Sequence, residues 1–328
     1  MNNSSNTWQQ ALAEAFTDLD SLCHYLQLDP KKLQVLKEYQ QFPLKVPRDF
    51  ANLMTVGDPN DPLLRQVLPL SQELIEQPGF SADPVGDLKA LATEGVVHKY
   101  QGRLLLISTG ACAIHCRYCF RRNFPYGEQQ LASSKIQQAI DYIQSRPEIT
   151  EVILSGGDPL LLNDEKLANL VKALNKIPQL QRIRIHSRIP VVLPSRITPD
   201  LLTVFSESRC SIIVVLHSNH PNELSAQVET ACQNLKANRV NLLNQSVLLK
   251  GINDNAEILH QLSERLFALG VLPYYLHQLD KAKGTAHFEV DDNDALELLE
   301  ALKQTLPGYL VPKLVREQSG APYKLNLY

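Results

Sequence analysis

The stretch RLLLISTGACAIHCRYCFRRNF, residues 103 to 124, runs from an apolar, β-branched segment straight into three cysteines. Arg103–Ser108 reads as a strand. Cys112, Cys116 and Cys119 follow in a C-x3-C-x2-C loop, with Arg121 and Arg122 just behind them. A structural zinc site takes four ligands, typically as two close pairs. Only three thiols stand here, and His115 inside the loop keeps a zinc reading open. An iron–sulfur cubane accounts for the spacing better, because thiolates hold its irons and three of them leave one iron open. Cys23, Cys210 and Cys232 are scattered through apolar or amphipathic segments and read as buried, reduced thiols.

Outward from this loop, strands and helices alternate. Further strands are expected at Glu151–Leu154, Arg182–His186, Ser211–Leu216, Leu242–Leu249 and Leu272–Gln278. Amphipathic helices fall between them at Ser134–Ser145, Asp164–Asn175, Pro199–Ser206, Pro221–Ala237 and Asp254–Leu269, with another at Asp292–Leu306 and an apolar segment at Tyr309–Val315. The pattern predicts an α/β fold, a partial TIM-like (β/α)6 barrel over residues 99–328. Residues 1–98 predict a helical and irregular extension packed on it, with helices at Trp8–Leu28 and Lys31–Tyr39 and a proline-rich connection behind them. Polar clusters close each expected strand, which is where such barrels carry their chemistry. They are Ser155-Gly156-Gly157-Asp158, His186-Ser187-Arg188, His217-Ser218-Asn219-His220, Asn244-Gln245 and His277-Gln278-Leu279-Asp280.

Composition narrows the function further. With 328 residues, 44% hydrophobic and a formal net charge of −3, the chain is ordinary globular material. It shows no basic footprint for nucleic acid or a membrane surface. Neither a signal peptide nor a spanning apolar run is evident, so a cytoplasmic location with reduced thiols is expected.

The cysteine spacing, with Tyr118 before the last thiol, resembles the radical S-adenosylmethionine superfamily. In that superfamily the open iron of a [4Fe–4S] cluster binds S-adenosylmethionine, whose reductive cleavage gives a 5′-deoxyadenosyl radical. The glycine-rich element "SGGDP" resembles the one that receives the methionine amino group, implying cofactor contacts from Ser155, Gly156, Gly157 and Asp158. More narrowly, "KYQGRLLLIST", "CRYCFRR", "LSGGDPL", "RIPVVLPSRIT", "HSNHPNE", "NQSVLLKGIND", "YYLHQLDKAKGTAHF" and "GYLVPKLV" resemble lysine 2,3-aminomutases, over nearly all of residues 90–328. The "W-x3-LA…L" segment near the N-terminus and the stop at Tyr328 resemble the short bacterial subgroup that makes β-lysine for elongation factor P.

That resemblance implies pyridoxal 5′-phosphate as a further cofactor, attached covalently to Lys324. The stretch before this lysine, Ser319 to Tyr323, departs from the family's usual run of glycines. It implies phosphate contacts from Lys99, Tyr100 and Arg103, and places His217 and Gln245 at S-adenosylmethionine, with Arg188 and Asn219 as weaker candidates. It gives Arg121 the substrate carboxylate. Asp280 and Glu317 receive the ε-ammonium, the latter where the family usually has aspartate. The implied reaction moves the amino group of L-α-lysine from C2 to C3 after hydrogen abstraction at C3. A one-electron reductant is implied, with an indirect link to elongation factor P and its lysyl-transferring ligase. A glutamate or arginine aminomutase would differ only at the far-end contacts, and a non-catalytic iron–sulfur protein would leave Lys324 without a purpose.

Overall fold

The structure is a computed structural model that describes residues 7–33, 35–36, 42–129, 131 and 135–327. Among them, one ten-stranded sheet runs in chain order. Its strands are β1 (Leu91–Thr93), β2 (Val96–Tyr100), β3 (Arg103–Thr109), β4 (Glu151–Gly156), β5 (Arg182–Ser187), β6 (Ser211–Leu216), β7 (Asn241–Val247), β8 (Leu272–His277), β9 (Lys313–Arg316) and β10 (Leu325–Asn326). From β3 to β9 every neighbouring pair is parallel, while β1–β2–β3 and β9–β10 are antiparallel. β1 and β10 do not pair with each other, so the sheet curls without closing, a partial barrel.

The parallel strands are nearly continuous apolar runs because helices cover their outer face. β5 shows how the lumen obtains polar groups nonetheless. Its residues alternate in burial, so Ile183 and Ile185 join the core while Arg184 and His186 face the cavity. The helix Asp164–Asn175 is typical of the outer layer. Asn163 caps it by accepting from the Lys166 N–H, and Leu167, Leu170, Val171 and Leu174 form its buried stripe. Each of these apolar side chains stabilises the fold by about 1.5–3 kcal/mol.

The N-terminal region differs in detail from expectation. Trp8–Leu28 is two helices, Trp8–Ala13 and Leu19–Tyr25, because Phe16 leaves the first to bridge Val46 and Asp18 caps the second. Of the helix expected at Lys31–Tyr39, the described residues form the end of a 3-10 turn, Pro30–Lys32, and an antiparallel bridge from Val35 to Leu70; residues 34 and 37–41 lie outside the described residues. Residue 98, the expected boundary, falls inside β2, a strand the sequence reading missed. Trp8, Leu22, Phe50 and Leu63 share one apolar core with Leu106, Leu154 and Leu216 of the sheet. Among the described residues, no helix is long and apolar enough to cross a membrane.

Candidate active site

The barrel lumen encloses a cavity of about 490 Å³. Cys112, Cys116, Cys119, Ser155, Gly156, Gly157, Asp158, His217, Gln245, Lys99, Tyr100, Arg103, Arg121, Asp280, Glu317 and Lys324 line it, as does Arg188, whereas Asn219 does not. The cavity therefore extends from Arg103, where β3 begins, to the cysteines beyond its end.

The cysteine loop is held from outside the barrel. Glu73, in the N-terminal region, takes Arg117 through Nε at 2.8 Å and Nη2 at 2.5 Å, and also Arg122 at 2.5 Å. Arg122 thus serves the loop, while Arg121 turns into the cavity. The glycine motif clasps the same loop from the other side. Gly157 N–H donates to Thr109 and Asp158 N–H to Ala111, both at 2.7 Å. A Cβ on Gly157 would lie 2.2 Å from the Ala111 carbonyl oxygen, so only glycine permits this approach. Gly156 has φ +119°, which also favours glycine.

The three thiols are unbridged. Burial, reinforced by the neighbouring cysteines, pushes Cys119 up to about 11 and Cys112 well above the usual thiol range. Their mutual repulsion as thiolates is what a bound cationic metal centre relieves. Among the described residues, no three His, Cys, Asp or Glu side chains converge as a single-ion site requires. A cubane needs no such point, because each thiolate binds a different iron. His115, the zinc candidate, has Nδ1 on the Pro43 carbonyl at 2.8 Å and its ring stacked on Phe42. The donor set fits a cluster and not a mononuclear zinc.

Further into the cavity lies a chain of charges. The β9–β10 register that pairs Leu325 with Arg316 brings Lys324 opposite Glu317, and the two form an ion pair. The other Glu317 oxygen takes Lys99 Nζ at 2.8 Å. Lys99 also meets Asp87 at 2.5 Å, and Asp87 meets Arg121 Nε at 2.6 Å. Arg121 Nη1 reaches Ser155 Oγ at 2.9 Å. Burial acts to raise Glu317, but the Lys324 and Lys99 ammoniums prevail and hold its carboxyl far below the usual carboxylate range. Tyr100 lies under the Arg103 guanidinium, 4.8 Å from ring centroid to charge. Lys99 and Tyr100 belong to β2, and Lys99 is paired with two acids, Asp87 and Glu317.

The adjoining wall, reached through β8 beside β9, is unpaired. Asp280 Oδ1, His186 Nε2 and His277 Nε2 are sealed from solvent and have no hydrogen-bond partner among the described residues. Burial, and then the nearby Glu317 carboxylate, push Asp280 up to about 7. His217 and Gln245 meet through their Nε2 atoms at 2.8 Å. Burial and the Arg188 and Arg121 charges keep the His217 imidazole neutral, its pKa depressed to about 3.

Both carboxylate oxygens of Asp158 are held by neighbouring groups. One carboxylate oxygen accepts from Leu160 N–H and Ser187 Oγ, the other from the Arg188 and Ile189 N–H groups. The carboxylate organises the exit of β5. Asp87, Glu73 and Gln66 were not anticipated. Each lies in a stretch of short turns, where nothing periodic marks which polar residue is buried.

The radical SAM superfamily pattern matches residues 106–262, from the middle of β3 into the helix after β7. This is a radical S-adenosylmethionine protein, of the class that carries a [4Fe–4S] cluster and S-adenosylmethionine. The chain is 46% identical to the L-lysine 2,3-aminomutase of Haemophilus influenzae, over 97% of this chain and 94% of that one. It is also 46% identical to the protein of that name from Escherichia coli K12, over 99% and 95%. With the Clostridium subterminale enzyme it shares 34% over 96% of this chain and 76% of the longer relative. A solved radical SAM methyltransferase from Sphaerobacter thermophilus superposes with a TM-score of 0.49 at 14% identity, covering 67% of this chain and 68% of that one. The chain belongs to the lysine 2,3-aminomutase family, whose members are isomerases.

Proposed function

We propose that this chain interconverts L-α-lysine and β-lysine in the cavity described. The observation that carries the reading is the lumen shared by the cysteine trio, Lys324, Arg121 and the Asp280 carboxylate, whose Oδ1 has no partner among the described residues. When bound, the cluster and S-adenosylmethionine supply a deoxyadenosyl radical, and pyridoxal phosphate carries the migrating nitrogen.

Cys112, Cys116 and Cys119 would each hold one iron. The glycine motif, His217 and Gln245 would receive S-adenosylmethionine. Lys324 is the amine placed for covalent attachment of pyridoxal phosphate, and Glu317 fixes its position until the aldehyde arrives. Lys99, Tyr100 and Arg103 are the groups for the phosphate, which would replace carboxylate contacts on Lys99. Arg121, anchored through Nε and Nη1, keeps Nη2 for the substrate carboxylate, a donor geometry lysine cannot reproduce. Asp280 selects a cationic tail: an ammonium there gains a buried carboxylate, whereas an acidic side chain would face like charge. Glu317 adds negative potential at the same end. The isomerisation consumes no net electrons, so the reductant only primes the cluster.

The whole-length match to relatives of similar size supports a cytoplasmic role supplying β-lysine for elongation factor P and its ligase. The test is anaerobic turnover of reconstituted protein with S-adenosylmethionine, pyridoxal phosphate, dithionite and lysine, glutamate or arginine. β-Lysine from lysine alone is expected. Deoxyadenosine without β-lysine would keep the radical chemistry and move the substrate elsewhere.

A further inference from the structure

A second buried network lies behind the cysteine loop and includes Arg188 and Asn219, the weaker candidates for S-adenosylmethionine. Gln66, wholly buried, follows the short helix Pro62–Arg65 of the N-terminal region. Its side-chain oxygen accepts from Arg188 Nη2 at 2.7 Å and Asn219 Nδ2 at 3.0 Å, and its amide donates to Glu223 at 3.0 Å. Glu223 in turn takes Arg188 Nη2 at 3.1 Å. These bonds fix the guanidinium by one nitrogen. The other, Nη1, donates to Cys116 Sγ at 2.7 Å. Gln66 also holds the loop directly, its backbone carbonyl accepting the Arg117 N–H at 2.8 Å.

We propose that Gln66 positions the Arg188 guanidinium on the Cys116 sulfur, and that this contact raises the reduction potential of the cluster. An added electron increases the negative charge on the iron-bound sulfurs. A hydrogen-bond donor on one of them, carrying a full positive charge in a poorly solvated site, stabilises the reduced form more than the oxidised form. Arg188 is a tuning residue and Gln66 a positioning residue, since it reaches the sulfur only through the arginine. The N-terminal region thereby acts on the redox step from outside the barrel. The Glu223 carboxylate offsets part of the charge, which makes the directed N–H···S bond the larger contribution. Loss of that bond alone should therefore be visible.

The experiment is an anaerobic redox titration of the reconstituted cluster, followed by electron paramagnetic resonance, in wild type, Arg188→Gln, Arg188→Lys and Gln66→Leu. Iron and sulfide content are matched before comparison. For Arg188→Gln the reduced-to-oxidised ratio at a fixed potential should fall about tenfold, a midpoint about 59 mV lower for one electron. Gln66→Leu should shift it the same way by less, and Arg188→Lys should recover part of the loss. Unchanged or raised midpoints in Arg188→Gln and Gln66→Leu would overturn the proposal. Should Arg188→Gln fail to take up a cluster, Gln66→Leu decides alone, because its side chain touches no cysteine.

Discussion

Two walls of one cavity hold acids in opposite states. On the β9–β10 wall, Glu317 and Asp87 are shared among Lys324, Lys99 and Arg121, and every charge has a partner. On the adjoining wall made by the ends of β8 and β5, Asp280 Oδ1 and the Nε2 atoms of His277 and His186 have none among the described residues. The same burial gives Glu317 a carboxyl held far below its usual range and Asp280 one pushed up to about 7. What differs is direct contact: Lys324 and Lys99 pair with Glu317, whereas their charges act on Asp280 without a bond. The paired wall holds geometry before a ligand arrives, and the unpaired wall is where a ligand must supply the missing partner.

Removing a partner from the first wall should have the largest effect. Glu317→Gln leaves two ammoniums with one remaining carboxylate, and breaking a buried pair costs about 3–5 kcal/mol. Urea unfolding should show a stability loss in that range, with turnover falling more than about 100-fold. A loss under about 1 kcal/mol would mean that this wall is not electrostatically coupled. Arg121→Lys keeps the charge but gives up the fork. It should lower kcat/KM for lysine by about 10–100-fold, as expected for losing a charge-assisted hydrogen bond of about 1.5–3 kcal/mol.

On the second wall, Asp280→Asn should raise KM for lysine by roughly tenfold or more. Its pH profile sharpens the contrast. In wild type, KM should rise as pH falls through about 7, because protonation removes the charge that meets the ammonium; the asparagine variant should lack that limb. The smallest effect is on stability. Folded Asp280 binds its proton more tightly than the unfolded chain does, so wild-type stability falls as pH rises from about 4 to about 7. Asp280→Asn should then melt about 2–4 °C higher than wild type at pH 8, with no gain near pH 3.

The two walls were not equally readable in the sequence. Asp280 sits just after an apolar run ending at a predictable strand, so its place at the lumen followed from the alternation. Lys324 and Glu317 were legible only by family resemblance, because the hairpin joining them has a two-residue strand with too little pattern to detect. β9 read as an apolar segment, but nothing local says that it lies parallel to β8. Asp87 was illegible: it follows Asp83, Pro84 and Gly86 in a stretch that signals only turns, and its burial comes from two cations distant in sequence. The helix break at Phe16 has the same origin. Apolar spacing continues through it, and the bridge to Val46 overrides the local preference.

The assignment of Lys324 as the cofactor lysine is the hinge between the two walls, and borohydride trapping tests it most directly. Protein loaded with pyridoxal phosphate would be reduced, digested and mapped by mass spectrometry. The account predicts a single pyridoxyl adduct on the peptide bearing Lys324, lost in Lys324→Ala. An adduct on Lys99 or on a surface lysine, with Lys324 unmodified, would contradict it.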